Sequence, residues 1–123
     1  MPSILVVDDE ANIRELVTVY FTAAGFDVRQ AADGPAGLRS AQEEPPDLVI
    51  LDIMLPGMDG STVCRRLREA SSAPIIMLTA GDSDLDKVAM LEAEADGYVR
   101  RRISPRELDA RARGGLRRVR PDA

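Results

Sequence analysis

The chain has 123 residues, 45% of them hydrophobic and 30% charged, with a net charge of −5. That length fits one domain able to bury a core without staples, and no apolar run approaches the roughly 18 residues a membrane span needs. Histidine is absent and cysteine occurs once, at Cys64, which excludes histidine acid–base catalysis, His-rich metal sites and an internal disulfide.

The lone cysteine and the lack of a basic-then-apolar leader pattern read as a cytoplasmic setting. Charge is unevenly spread. Residues 1–99 carry −11, and residues 100–123, with nine arginines, carry +6. An acidic body argues against tight nucleic-acid binding by the domain itself. The basic end reads as the solvated face of a last helix or as an interaction surface.

In chain order, Ser3 to Val7 is a continuous apolar run, the mark of a strand buried on both faces. From Ala11 to Ala24, the stripe Ile13, Leu16, Val17, Tyr20 and Phe21 has helical spacing, and Gly25 is a natural stop. Phe26 to Ala31 is a short strand. Gly34 to Gln42 is a short helix that ends before Pro45-Pro46. Asp47 to Leu51 is a second run buried on both faces. Ser61 to Ala70 is a helix with Val63, Cys64 and Leu67 inward, and Pro74 to Leu78 is a further buried strand. Ser83 to Ala93 has helical spacing, and Gly97-Tyr98-Val99 begins a fifth strand. Ser104-Pro105-Arg106-Glu107 combines an N-cap, a proline at the first helical position and a capping box before a last helix. Five strands alternating with five helices predict an α/β domain with a parallel sheet covered on both faces. Residues 1–119 form this domain, and 120–123 read as the start of a linker or an arbitrary end.

Sites in such sheets lie beyond the carboxyl ends of the strands. The first strand ends in Asp8-Asp9-Glu10, the third in Asp52 and the fourth in Thr79-Ala80. Crowded carboxylates repel each other, and a hard divalent cation relieves that cost. Mg²⁺ suits a few carboxylates, retained waters and a phosphoryl oxygen. An aspartate can also attack phosphorus to give an acyl phosphate, with a hydroxyl such as Thr79 and a fixed cation binding the phosphoryl oxygens. The competing reading is that acids at strand ends merely cap the next helix, as Asp9 or Glu10 could do for the helix from Ala11. Two acidic strand ends together make a ligand role the better reading for Asp9 and Asp52, and for Asp8 beside them. Glu10 reads as a helix N-terminal acid.

Ile4-Leu5-Val6-Val7-Asp8-Asp9-Glu10, Leu51-Asp52-Ile53-Met54-Leu55-Pro56-Gly57-Met58-Asp59-Gly60 and Met77-Leu78-Thr79-Ala80 resemble bacterial two-component receiver domains, in order and spacing, over essentially the whole chain. Ser104 to Leu108 further resembles the winged-helix (OmpR/PhoB-type) subfamily. The resemblance implies a flavodoxin-like sheet of order 2-1-3-4-5. It implies Asp52 as acceptor of a phosphoryl group from a sensor histidine kinase. It also implies Mg²⁺ held by Asp9, Asp52 and the backbone carbonyl of Met54, with help from Asp8. Thr79 would hydrogen-bond the phosphoryl group, and Tyr98 would be the aromatic that moves with it. Such a domain is a phosphoacceptor with self-phosphorylation and autodephosphorylation chemistry only, not a conventional enzyme. Its output face would be the fourth helix, fifth strand and fifth helix, which is also the homodimer face. DNA would be reached only through a C-terminal output domain outside this chain.

The fifth-strand region departs from the family. Arg101, Arg102 and Ile103 stand where Lys, Pro and an aromatic are usual. Arg101 keeps the charge but not the shape of Lys, and without the Pro a cis bond there becomes costly, about 3 kcal/mol. Glu94 replaces a helix-ending Gly. Gly97 replaces an Asp whose usual partner would be Arg111, while Lys87 and Glu107 match another pair of the dimer face. Gly114-Gly115 interrupt the last helix. Gly97, Gly114 and Gly115 thus weaken the expected dimer face. Three alternatives compete with a phosphorylation switch. A receiver-fold interaction module independent of phosphorylation is the strongest. An Asp-nucleophile phosphatase is weaker, since Met54 stands where a second Asp is needed. A flavodoxin-like nucleotide binder is weakest, since no Gly-rich phosphate loop follows the first strand.

Overall fold

The computed structural model describes residues 2–52, 55, 57, 58, 60–79 and 97–100. Within them run β1 (Ser3–Val7), α1 (Ala11–Ala23), β2 (Asp27–Ala31), α2 (Gly34–Glu43), β3 (Leu48–Asp52), α3 (Gly60–Ala70), β4 (Ile75–Thr79) and β5 (Gly97–Arg100). The strands pair in parallel in the order β2-β1-β3-β4-β5. The predicted helices over 83–93 and after Pro105, with Glu94, Arg111, Gly114 and Gly115, lie outside the described residues.

The continuous apolar runs are explained by the two-residue period of a strand. Leu5, Val7, Val49, Leu51, Ile75 and Met77 face one side of the sheet. They pack there with Ala41 of α2 and with Val63, Cys64 and Leu67 of α3. Ile4, Val6, Leu48, Ile50, Ile76 and Leu78 face the other side, against Val17 and Phe21 of α1 and against Phe26. Every residue of β3 is buried. Polar residues in these runs would leave unsatisfied groups in one layer or the other.

Three details differ from the sequence reading. Leu16 is 50% exposed, although the apolar stripe placed it inward. Val17 and Phe21, one turn apart, centre the buried face of α1, with Ile13 and Tyr20 flanking it, so Leu16 falls off its edge. Second, β3 and β4 each run one residue further than read, because the ladder continues to Asp52↔Leu78 and Thr79↔Arg100. Third, Glu10 stands at the N-terminus of α1 as read, at the N-cap, but its side chain makes no cap bond.

The placement of α2 is set by local chemistry. The Asp33 carboxylate accepts the Ala36 N–H at 2.8 Å and caps α2, with Pro35 in the first turn where its missing N–H costs nothing. Gly37 lies flush on β1: a Cβ there would stand 2.8 Å from Val7 Cγ2. At the amino ends of β1 and β3, Asp47 accepts the Ser3 N–H at 2.7 Å and donates its own N–H to the Ser3 carbonyl at 2.9 Å. That latch fixes the register which brings the opposite strand ends level.

Candidate functional site

The register decides what meets at the carboxyl edge. Val7 pairs with Leu51, so Asp8 and Asp52, one residue on, leave neighbouring strands at the same level. The chain turns to opposite sides of the sheet from β1 and β3, which opens a crevice at this topological switch point. One carboxylate oxygen from each of Asp8, Asp9 and Asp52 lies within 4.8 Å of the others. Asp8 and Asp52 are fully buried, and Asp9 is exposed. Two desolvated carboxylates beside a third are costly as anions. Two buried acids and one open to solvent make a set of hard oxygen donors of the kind that small divalent cations take. The residues therefore fit a small divalent cation.

Asp8 is held from several directions. Its N–H donates to the Ala31 carbonyl of β2 at 3.1 Å. Its Oδ1 accepts the Glu10 N–H at 2.8 Å, and its carbonyl accepts Arg14 Nη1 at 2.7 Å. Asp52 comes from the end of a fully buried strand. Past it, Leu55 is buried in the core, and Gly57 turns the chain with φ +80°, a conformation that suits glycine. Met58 then packs against the core beside α2. Leu55 and Met58 are thus held against the core on either side of Gly57.

Of the residues singled out in the sequence, Asp8, Asp9 and Asp52 are brought together. Thr79 ends β4, one position beyond Leu78, the partner of Asp52, so its backbone lies at the same edge. Tyr98 is in β5, in register with Met77. Met54 and Arg101 lie outside the described residues; Arg101 follows directly on Arg100, the partner of Thr79. Arg14 was missed by sequence reading. Its link to the site runs through a backbone carbonyl and through Gln30 on another strand, and no local motif signals such contacts.

The fold and the acidic crevice define a flavodoxin-like parallel α/β protein with a candidate cation site at its switch point. Residues 4–113 match the family model "Response regulator receiver domain". The chain is 48% identical over 118 residues to the transcriptional regulatory protein AfsQ1 of Streptomyces coelicolor, covering 96% of this chain and 52% of that protein. It is 49% identical over 115 residues to the DNA-binding response regulator MtrA of Mycobacterium tuberculosis, covering 94% and 50%. It thus spans about half the length of these curated relatives. Among solved structures, it matches the BeF3-activated N-terminal receiver domain of Klebsiella pneumoniae RstA with TM-score 0.87 and 39% identity, covering 94% of this chain and 98% of that one. A CheY-like receiver domain protein from Methanospirillum hungatei matches with TM-score 0.93 and 27% identity, covering 100% and 99%. The chain belongs to the response regulator receiver family, the phosphorylation-activated domains of two-component signalling.

Proposed function

We propose that this chain is a phosphorylation switch in which Asp52 accepts a phosphoryl group from a phosphohistidine on a sensor kinase, in a Mg²⁺-dependent reaction. The observation that carries this reading is the meeting of Asp8, Asp9 and Asp52 within 4.8 Å at the carboxyl edge of the sheet. A carboxylate oxygen of Asp52 attacks phosphorus, the bond from phosphorus to the imidazole nitrogen breaks, and its electron pair stays on the imidazole. Asp9, Asp52 and the Met54 carbonyl would hold Mg²⁺, with Asp8 supporting. When bound, Mg²⁺ neutralises charge on the transferring group. Thr79 binds the phosphoryl group, Arg101 supplies the cation that Lys gives in the family, and Tyr98 follows Thr79 inward. Burial of Asp52 suits this chemistry, since it keeps bulk water from the acyl phosphate.

The aspartyl phosphate adds negative charge and acceptor oxygens at one point and biases the chain between two arrangements. In the full receiver domain, residues 1–119 with five strands and five helices, the responding face is the fourth helix, fifth strand and fifth helix. That face also forms a homodimer weakened by Gly97, Gly114 and Gly115. The two curated relatives described above are regulators about twice as long as this chain. Their names and greater length support a response regulator whose DNA contacts lie in an output domain beyond residue 123, and a cytoplasmic setting is part of the same proposal.

Intact-mass spectrometry after incubation with acetyl phosphate and Mg²⁺ tests this directly. One phosphoryl adduct is expected, lost without metal and lost in Asp52→Asn. A folded protein that takes no adduct would instead support the phosphorylation-independent interaction module, which the Arg101-Arg102 departure favours.

A further inference from the structure

We propose that Arg14 is a positioning residue of the cation site, clamping the strand exit that carries Asp8 and Asp9 onto α1 and β2. This rests on the Mg²⁺ reading above. Arg14 Nη1 donates to the Asp8 carbonyl at 2.7 Å, and its Nε donates to Gln30 Oε1 of β2 at 3.3 Å. Gln30 Nε2 in turn donates to Thr18 Oγ1 at 2.9 Å, and Thr18 Oγ1 donates to the Arg14 carbonyl at 2.7 Å. The result is a ring of three side chains closed through the Arg14 backbone, with one arm of the guanidinium extended to the carbonyl of the Asp8–Asp9 peptide.

The ring has a mechanical consequence. Three carboxylates in one crevice repel when no cation is bound, and the least constrained of them would swing outward. Asp8 and Asp9 leave β1 on a short connection to Ala11, the first residue of α1. Arg14 and the Glu10 N–H hold Asp8 at its carbonyl and its Oδ1. Asp8, and the peptide that leads into Asp9, are therefore kept near their binding positions before the cation arrives. Groups that orient metal ligands in this way are worth about 10–100-fold in affinity. Lysine cannot replace the fork, since one ammonium does not span both the Asp8 carbonyl and the Gln30 oxygen in a fixed plane.

Arg29 supplies the control. It is also an arginine of the folded body, bonded through Nη1 to the Ser40 carbonyl and Oγ, both at 3.1 Å. It stands in register with Leu5, well back from Asp8. Mg²⁺ affinity is measured by isothermal titration calorimetry on the chain, on Arg14→Met, Arg14→Lys and Arg29→Met, with a thermal melt of each metal-free protein. Wild-type affinity in Arg29→Met, a loss of about tenfold or more in Arg14→Met and a smaller loss in Arg14→Lys are expected. Unchanged affinity in Arg14→Met overturns the proposal. Equal losses in Arg14→Met and Arg29→Met also overturn it, since they reduce the role to general stability. Should Arg14→Met not fold, Arg14→Lys decides: wild-type affinity there overturns the clamp. No binding by the wild-type chain removes the Mg²⁺ reading itself, and the proposal with it.

Discussion

At the residue scale, the three carboxylates of the crevice are not equivalent. Asp8 and Asp52 are buried, and Asp9 is exposed. Neutralising Asp9 removes repulsion from its neighbours and also removes a ligand. Asp9→Asn should therefore melt at an equal or higher temperature than wild type in chelator, yet lose most of the rise in melting temperature that Mg²⁺ gives wild type. Paired thermal melts read both effects, and a full Mg²⁺ response in the variant would remove Asp9 from the ligand set. Gly37 makes a different kind of residue-scale statement. Its missing Cβ leaves room for Val7, whose Cγ2 and Cγ1 would lie 2.8 and 3.1 Å from it. Gly37→Ala should cost about 1–3 kcal/mol, as overpacking does in a closed core, visible as a lower urea midpoint at unchanged slope.

At the scale of elements, α2 begins where Asp33 caps it. Asp33→Ala should cost about 1 kcal/mol, with a lower melting temperature and unchanged Mg²⁺ affinity, because the cap serves Ala36 and no atom of the crevice. The strands show how much sequence can tell at this scale. Runs such as Leu48 to Leu51 announced strands buried on both faces, and they are. The helix of Val63, Cys64 and Leu67 was legible from its spacing, and all three are buried. Leu16 was not. Periodicity gives the direction of an apolar stripe but not its width, which depends on how closely Phe26 and the sheet approach α1.

For the molecule as a whole, folding and cation binding should be linked. A ligand that binds only the folded state adds about 2.7 kcal/mol at a hundred times its dissociation constant. The melting temperature of the chain should thus rise with Mg²⁺ concentration, and an unresponsive melt would count against a cation site. The same melts can be set against the core. Leu51 is fully buried among residues of β1, β4, α2 and α3, so Leu51→Ala should cost about 2–5 kcal/mol through the cavity it leaves. That loss should appear equally with and without Mg²⁺, as the side chain packs the layer and touches no ligand chemistry.

Sequence by itself determined the alternation of strands and helices, the double burial of the central strands and the acids at their carboxyl ends. These are local properties, fixed by side-chain period, capping chemistry and the few residues following each apolar run. Only the tertiary structure decided that Val7 pairs with Leu51, and hence that Asp8, Asp9 and Asp52 meet within 4.8 Å. It alone showed the division into two buried carboxylates and one exposed, and the tie from Arg14 to the Asp8 carbonyl and Gln30. Those are relations between residues far apart in the chain, set by strand register and packing, which no stretch of sequence carries within itself.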